Sequence, residues 1–269
     1  MAIFYDSHAH LTWPDFAGEL DEVVARAKAE GIERIVTIGT DLESSAKAIE
    51  LAGRFPEVFA VVGWHPADVL SGPDDIREEL ARLTGHEKVV AIGETGLDYY
   101  RLPSGRNGTV EEDEILKKKQ AVFFEQQLEV AAAAGLNVVI HTRGDCFEET
   151  LAILEPYADK LQAVFHCFVE TPENMQRVLA LGSIVSFTGI VTFKNAQEVR
   201  DTVAVTPIDK LMVETDSPFL APVPRRGKRC EPALVRHTAE KIAEVKGCDL
   251  EELSAATCAT ARAFYRGLT

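Results

Sequence analysis

The chain has 269 residues, 46% hydrophobic and 26% charged, proportions that exclude a disordered chain and allow one large buried core. Its 43 acidic against 28 basic residues give a formal charge of −15. That excludes tight wrapping of duplex DNA by a broad basic face, but not a small anionic substrate in a local cleft.

The first strand-like run, residues 3–10, ends in His8 and His10, which stand two apart and share one side of a strand. Apolar residues at helical spacing (Leu20, Val23, Val24, Ala27) predict a helix over 19–30, stopped at Gly31. A strand over 32–38 follows, then a helix over 42–55 with Asp41 as N-cap, and a strand over 58–62. The alternation continues with helices over 74–83, 115–134, 147–157, 172–181 and 196–205, and with strands over 89–92, 138–140, 163–165, 184–187 and 211–213. Pro172 suits the first turn of its helix, and two closing helices span 232–246 and 250–266.

About eight short strands, each followed by a helix and with no linker long enough to divide the chain, predict a single (β/α)8 TIM-type barrel domain over residues 1–269. An open doubly wound sheet is the alternative, but no GxGxxG follows an early strand. Residues 101–114, rich in Gly, Pro and charge, read as an irregular loop that is functional or disordered. Five cysteines, Cys146, Cys167, Cys230, Cys248 and Cys258, lack CxxC spacing and are odd in number, so they read as reduced thiols. No apolar run approaches the ~20 residues of a membrane span, and no basic-then-apolar leader is evident; the expected location is the cytoplasm, with no membrane partner.

In such a barrel, active-site residues lie where strands end. His8 and His10 end the first strand, His65 follows the third, Glu94 the fourth, His141 the fifth, His166 the sixth and Asp216 the eighth. One strand-end histidine is ordinarily a scaffold residue; five, with two carboxylates, are a metal-ligand set. A carboxylate has two oxygens and so suits a bridge between two ions, and Glu94 is the candidate bridge. Two ions lower the pKa of a shared water and orient it for in-line attack on a phosphoryl group. Asp216 is placed to bind one ion and take the water's proton. Histidine and carboxylate ligands suit Zn2+ or Mn2+ as well as Mg2+.

The segments DSHAHL (6–11), GWHP (63–66), GETGLDYY (93–100), VIHTR (139–143), FHCF (165–168), TGIVTFKNA (188–196) and ETDSPFLAPVPRRGKR (214–229) resemble, in this order, the TatD-type deoxyribonucleases of the amidohydrolase superfamily. The resemblance implies that His8, His10, Glu94 and Asp216 hold one ion and Glu94, His141 and His166 the second, with Mg2+ supporting activity. It gives His65 and Arg143 contacts to a substrate phosphate. The basic loop Arg225, Arg226, Lys228 and Arg229 follows Asp216 closely and is the expected grip on a nucleic-acid backbone. Three departures from the family pattern stand out: the length of 101–114, expected to reshape the cleft; Cys230 in place of Asn, expected to alter substrate contacts; and Thr260 in place of Asn, expected to affect helix packing.

The leading expectation is therefore a metal-dependent deoxyribonuclease acting on DNA ends, a 3′-to-5′ exonuclease on single strands. A hydroxide activated by the same metals attacks an ester carbonyl as readily as phosphorus, so a deacylase removing D-amino acids from the 3′ end of tRNA is the enzymatic alternative. A non-catalytic barrel scaffold is the third reading. The chain is expected as a monomer or weak oligomer.

Overall fold

The computed structural model describes residues 2–268. Eight parallel strands run in the order β1 to β8: Phe4–Ala9, Ile32–Ile38, Val58–Val62, Val89–Asp98, Asn137–Arg143, Ala163–Phe165, Ile184–Phe187 and Leu211–Val213. Helices α1 to α7 (Leu20–Ala29, Leu42–Arg54, Arg77–Leu83, Val110–Ala134, Phe147–Leu154, Pro172–Ala180, Gln197–Val205) each connect one strand to the next. After β8 come α8 (Val235–Lys246) and α9 (Leu250–Phe264). The strands form a nearly closed (β/α)8 barrel, as the alternation predicts.

Closure falls between β1 and the segment after β8. Ala9 bridges Ser217 in parallel, the His10 amide donates to the Ser217 carbonyl at 2.7 Å, and the Asp216 amide donates to the His8 carbonyl at 2.9 Å. This seam places the end of the first strand against a residue over 200 positions away.

Strand alternation sorts the core into two clusters. Ala60 and Val62 of β3 face the helices, while Phe59 and Val61 join Tyr5, Val36, Ile38, Val90, Val139, Val164, Ile184 and Met212 inside the barrel. Phe264, Tyr265 and Leu268 belong to that inner cluster, so the end of α9 and the residues after it plug the floor. The Tyr265 hydroxyl donates to the Ser7 carbonyl at 2.8 Å, tying the plug to β1. Each such buried aromatic is worth ~1.5–3 kcal/mol of removed apolar surface, which fixes β1 from below.

Several boundaries differ from the sequence expectations for identifiable reasons. β4 runs on through Asp98, well past Ile92, so Glu94 lies inside the strand and does not follow it. The ladder to β5 shifts register between Ile92 and Thr95, where the Gly93–Glu94 peptide is cis. The stretch 101–114 is no irregular loop. It holds a short 3-10 turn, Pro103–Arg106, and the first turn of α4, which starts at Val110. Thr109 and Glu112 form a capping box there, and the Asp113 carboxylate accepts from the Ser104 amide at 2.8 Å and from the Ser104 hydroxyl, folding the turn onto the helix. The expected helix over 147–157 breaks at Leu154 into a 3-10 turn containing Pro156, and that over 232–246 begins with another, Pro232–Leu234. The helix over 74–83 begins only at Arg77, whose amide is capped by Asp75.

All five cysteines are free thiols. Cys230 is fully buried, and its amide donates to the Pro218 carbonyl at 3.0 Å. It braces the loop after Asp216 from inside, so any influence on substrate contacts runs through that loop and not through the thiol itself. Thr260 is buried in α9 with its hydroxyl on the Ala256 carbonyl, a packing role. No helix among the described residues is long and apolar enough to cross a membrane.

Candidate metal centre

The seven polar side chains converge at the C-terminal mouth of the barrel, and Glu94 lies at their centre, 2% exposed. Its Oε1 is 2.8 Å from His141 Nδ1 and 2.8 Å from His166 Nε2. Its Oε2 is 3.3 Å from His8 Nε2 and 3.6 Å from His10 Nε2. Asp216 Oδ1 completes the second side at 3.2 Å from His10 Nε2 and 3.7 Å from His8 Nε2. The two carboxylate oxygens thus face two separate sets of donors.

The local backbone makes this aim possible. Gly93 has φ +148°, and a Cβ there would lie 2.7 Å from the Val139 carbonyl oxygen of β5. Gly96 has φ +124°, and a Cβ would collide with the carbonyl of His141 itself. Both positions need glycine, one for the turn that directs Glu94 inward and one for the close approach of β4 to the His141 backbone. Asp216 holds φ +57°, a left-handed conformation that aspartate tolerates better than most residues.

Lone pairs are crowded here. His8 Nε2 lies 3.3 Å from His10 Nε2, and His141 Nδ1 lies 3.3 Å from His166 Nε2; each pair of ring nitrogens can share at most one proton. Glu94 Oε2 is buried with no hydrogen-bond partner. Convergent nitrogens, an orphaned carboxylate oxygen and near-complete burial are the donor set a cation satisfies.

Three carboxylates that the spacing of the sequence did not bring forward support this set. Asp98 Oδ2 stands 3.2 Å from His141 Nε2, and its Oδ1 accepts from the Tyr100 amide at 2.9 Å. A proton held on Nε2 toward Asp98 leaves Nδ1 free to face Glu94 and an ion. Glu214 accepts from the Cys167 amide at 2.6 Å and lies 3.5 Å from His166 Nδ1, the nitrogen turned away from Glu94. Asp6 accepts from the Thr215 amide (2.9 Å) and hydroxyl (2.6 Å), clamping β1 to the residues that carry Asp216. Burial outweighs those hydrogen bonds and pushes the Asp6 carboxyl up to about 8. The only signal for Asp98 and Glu214 in the sequence is their place inside the GETGLDYY and ETDSP segments.

Electrostatically the cluster is a set of anions held by imidazoles. Burial raises the Glu94 carboxyl, but the charges of His166, His65 and His8 overwhelm it and hold the group well below its ordinary range. Burial and His166 lower His8. In His166 burial is opposed by Glu94 and Glu214, which carry the ring well above its ordinary value.

His65 is brought to the same mouth, Nε2 3.4 Å from Glu94 Oε1, yet its other nitrogen accepts from the Ala67 amide at 3.0 Å. With Nδ1 accepting, the neutral ring carries its proton on Nε2, which then faces the site as a donor, although His65, Glu94 and His141 also stand close enough to share an ion. Arg143 ends β5 and stacks on Tyr100, 4.1 Å from the ring centroid. The basic loop divides. Arg226 lies over Phe193 at 4.2 Å, whereas Arg229 is committed to the Glu19 carboxylate and to the Asp15 carbonyl at 2.6 Å.

A barrel with this polar mouth defines a class of hydrolase, and the relatives agree. The model of the family described as TatD related DNase matches residues 5–266, and the chain belongs to that family. It is a metal-dependent hydrolase. It is 38% identical over 265 residues to a Bacillus subtilis (strain 168) protein named uncharacterized metal-dependent hydrolase YabD, covering 98% of this chain and 99% of that one. It is 36% identical over 271 residues, 98% of each chain, to the 3′-5′ ssDNA/RNA exonuclease TatD of Citrobacter rodentium (strain ICC168). The fold matches the crystal structure of YjjV, a TatD homologue from Escherichia coli K12, with TM-score 0.88, 24% identity and 97% of each chain covered.

Proposed function

We propose that the chain is a 3′-to-5′ exonuclease acting on single-stranded nucleic-acid ends, DNA first, through two divalent ions bridged by Glu94. The observation that carries this reading is the division of the Glu94 carboxylate, one oxygen toward His141 and His166 and the other toward His8 and His10. The exonuclease named among its relatives supports the choice of bond and polarity.

On this reading His8, His10, Asp216 and Glu94 would hold one ion, and Glu94, His141 and His166 the other. When bound, the ions supply Lewis acidity and lower the pKa of water at neutral pH. The protein's own groups do the rest. Asp216 is ionised: burial raises it, but the hydrogen bond and charge of His10 hold it below its ordinary value. It is 15% exposed at the mouth, placed to accept a proton from the attacking water. His65 Nε2 donates to a phosphate oxygen, and Arg143, Arg225, Arg226 and Lys228 contact the backbone of the strand. One barrel domain would suffice for this chemistry.

The test is hydrolysis of a 5′-labelled single-stranded oligonucleotide with Mg2+, Mn2+ or Zn2+, alongside D-aminoacyl-tRNA. The expected result is stepwise release of nucleotides from the 3′ end and loss of that activity in Glu94→Gln, with bound metal falling below two per chain. Hydrolysis of the aminoacyl ester alone would replace this reading with the deacylase one.

A further inference from the structure

Two exposed aromatic residues stand beside the metal-ligand set, and both are anchored to it through the backbone. The Trp13 amide donates to the His10 carbonyl at 3.2 Å, and the Phe219 amide donates to the Asp216 carbonyl at 2.9 Å. Each aromatic thus sits one tight turn beyond a residue of the same cluster. The closing seam between β1 and the segment after β8 brings the two turns together, although they are far apart in the chain. The rings meet edge to face, centroids 4.9 Å apart at 87°, and lie 6.0 Å (Trp13) and 6.2 Å (Phe219) from the His10 ring.

An edge-to-face pair uses one face of one ring and only an edge of the other, so a face remains for a third ring. Trp13 is 38% exposed and Phe219 41%, so ring surface of both is open to solvent at the rim of a buried polar centre. An aromatic face one ring away from a cluster that handles phosphate is within reach of the base attached to that phosphate. Pro14, at the first position of the following 3-10 turn, holds the Trp13 backbone in an extended conformation and keeps the ring at the rim.

We infer that Trp13 and Phe219 form a stacking subsite for the nucleobase at the strand terminus, placing the adjacent phosphodiester over the metal-ligand cluster. This rests on the exonuclease reading and deepens it. Stacking accepts any base, so the subsite selects for the presence of a base and not for its identity.

The test compares two oligonucleotides of one sequence, one ending in a normal 3′ nucleotide and one in a 3′ abasic residue. Wild type is expected to show KM about ten-fold lower for the intact end. In Trp13→Ala and Trp13→Leu the ratio is expected to fall below about two-fold, and Trp13→Phe, which keeps an aromatic face, to retain most of it. Phe219→Leu lowers the ratio independently should the Trp13 variants fold poorly. A ratio near one in wild type, or an unchanged ratio in Trp13→Leu and Phe219→Leu, overturns the subsite.

Fluorescence keeps this separate from the catalytic reading. The chain has two tryptophans, and Trp64 is buried, so Trp13 is the accessible reporter. A 3′-phosphorothioate oligonucleotide, added to the metal-loaded protein, is expected to quench Trp13, and the abasic version is not. Quenching without hydrolysis of any oligonucleotide would leave the subsite standing and remove the exonuclease; equal quenching by both probes, or none, would remove the subsite.

Discussion

Asp98→Asn is the substitution that best separates a metal-binding cluster from a merely polar one. Asp98 offers one oxygen to His141 Nε2 at 3.2 Å and the other to the Tyr100 amide at 2.9 Å. Both partners require an acceptor when His141 carries its proton on Nε2. An asparagine has a single acceptor, so either flip of the amide sets an NH2 against a donor. Losing one hydrogen bond between a buried ring and a carboxylate costs ~1.5–3 kcal/mol. The same range follows from metal sites, where removing the partner of a ligating histidine costs about 10–100-fold in affinity.

The loss should be confined to the ion on the His141 and His166 side of Glu94. Calorimetric titration with Mn2+ would then show one site weakened by about 10–100-fold and the other within about two-fold of wild type. Activity at saturating metal should recover substantially, because the ligands themselves remain. Unchanged affinity at both sites would refute the orienting role of Asp98, and equal weakening of both would refute the division of ligands at Glu94.

Metal binding should also release protons. Burial works against charging of these rings, yet Asp216 and Glu94 hold His10 above its ordinary value, Asp98 and Glu94 do so for His141, and Glu94 and Glu214 carry His166 well above it. A bound ion needs neutral rings, so affinity rises with pH through the neutral range and falls as pH drops; equal binding heats in Pipes and Tris, which differ in ionisation enthalpy, would refute this. Gly96→Ala should cost about 2 kcal/mol or more in urea unfolding, through its φ of +124° and the collision with the His141 carbonyl; a stability unchanged within 0.5 kcal/mol, roughly the level of a neutral surface change, would contradict the close approach. Arg225→Ala and Arg226→Ala should each flatten the salt dependence of oligonucleotide binding by ~0.7, the value for one phosphate contact on a single strand, whereas Arg229→Ala, already paired with Glu19, should not.

Strand ends are legible where a short apolar run meets an abrupt polar residue, as in the Val138–Ile140 part of β5 followed by His141. Glu94 was harder. Gly93 and Gly96 suppress the strand signal, so β4 looked four residues long when its ladder to β5 resumes at Thr95 and carries on to Asp98. The capping box at Thr109 and Glu112, followed by Asp113, is a helix-start signal that Gly105, Gly108 and Pro103 nearby mask in the sequence. Charge counts do not reveal that Arg229 is paired with Glu19, 210 residues away.

What no spacing rule could supply is the seam. His10 and Asp216 come within 3.2 Å because Ala9 bridges Ser217 and Asp6 grips Thr215, and the same closure carries Trp13 to Phe219. The seam thus brings the proposed first ligand set together, and an ion held by His8, His10 and Asp216 would tie β1 to the segment after β8. Metal should accordingly stabilise the chain against unfolding, by an increment that grows with free ion as RT ln(1 + [L]/Kd). His10→Ala should abolish much of that increment while His141→Ala, on the far side of Glu94, should leave the seam's share in place. Equal loss from the two variants in metal-dependent thermal unfolding would mean that closure does not depend on the first site.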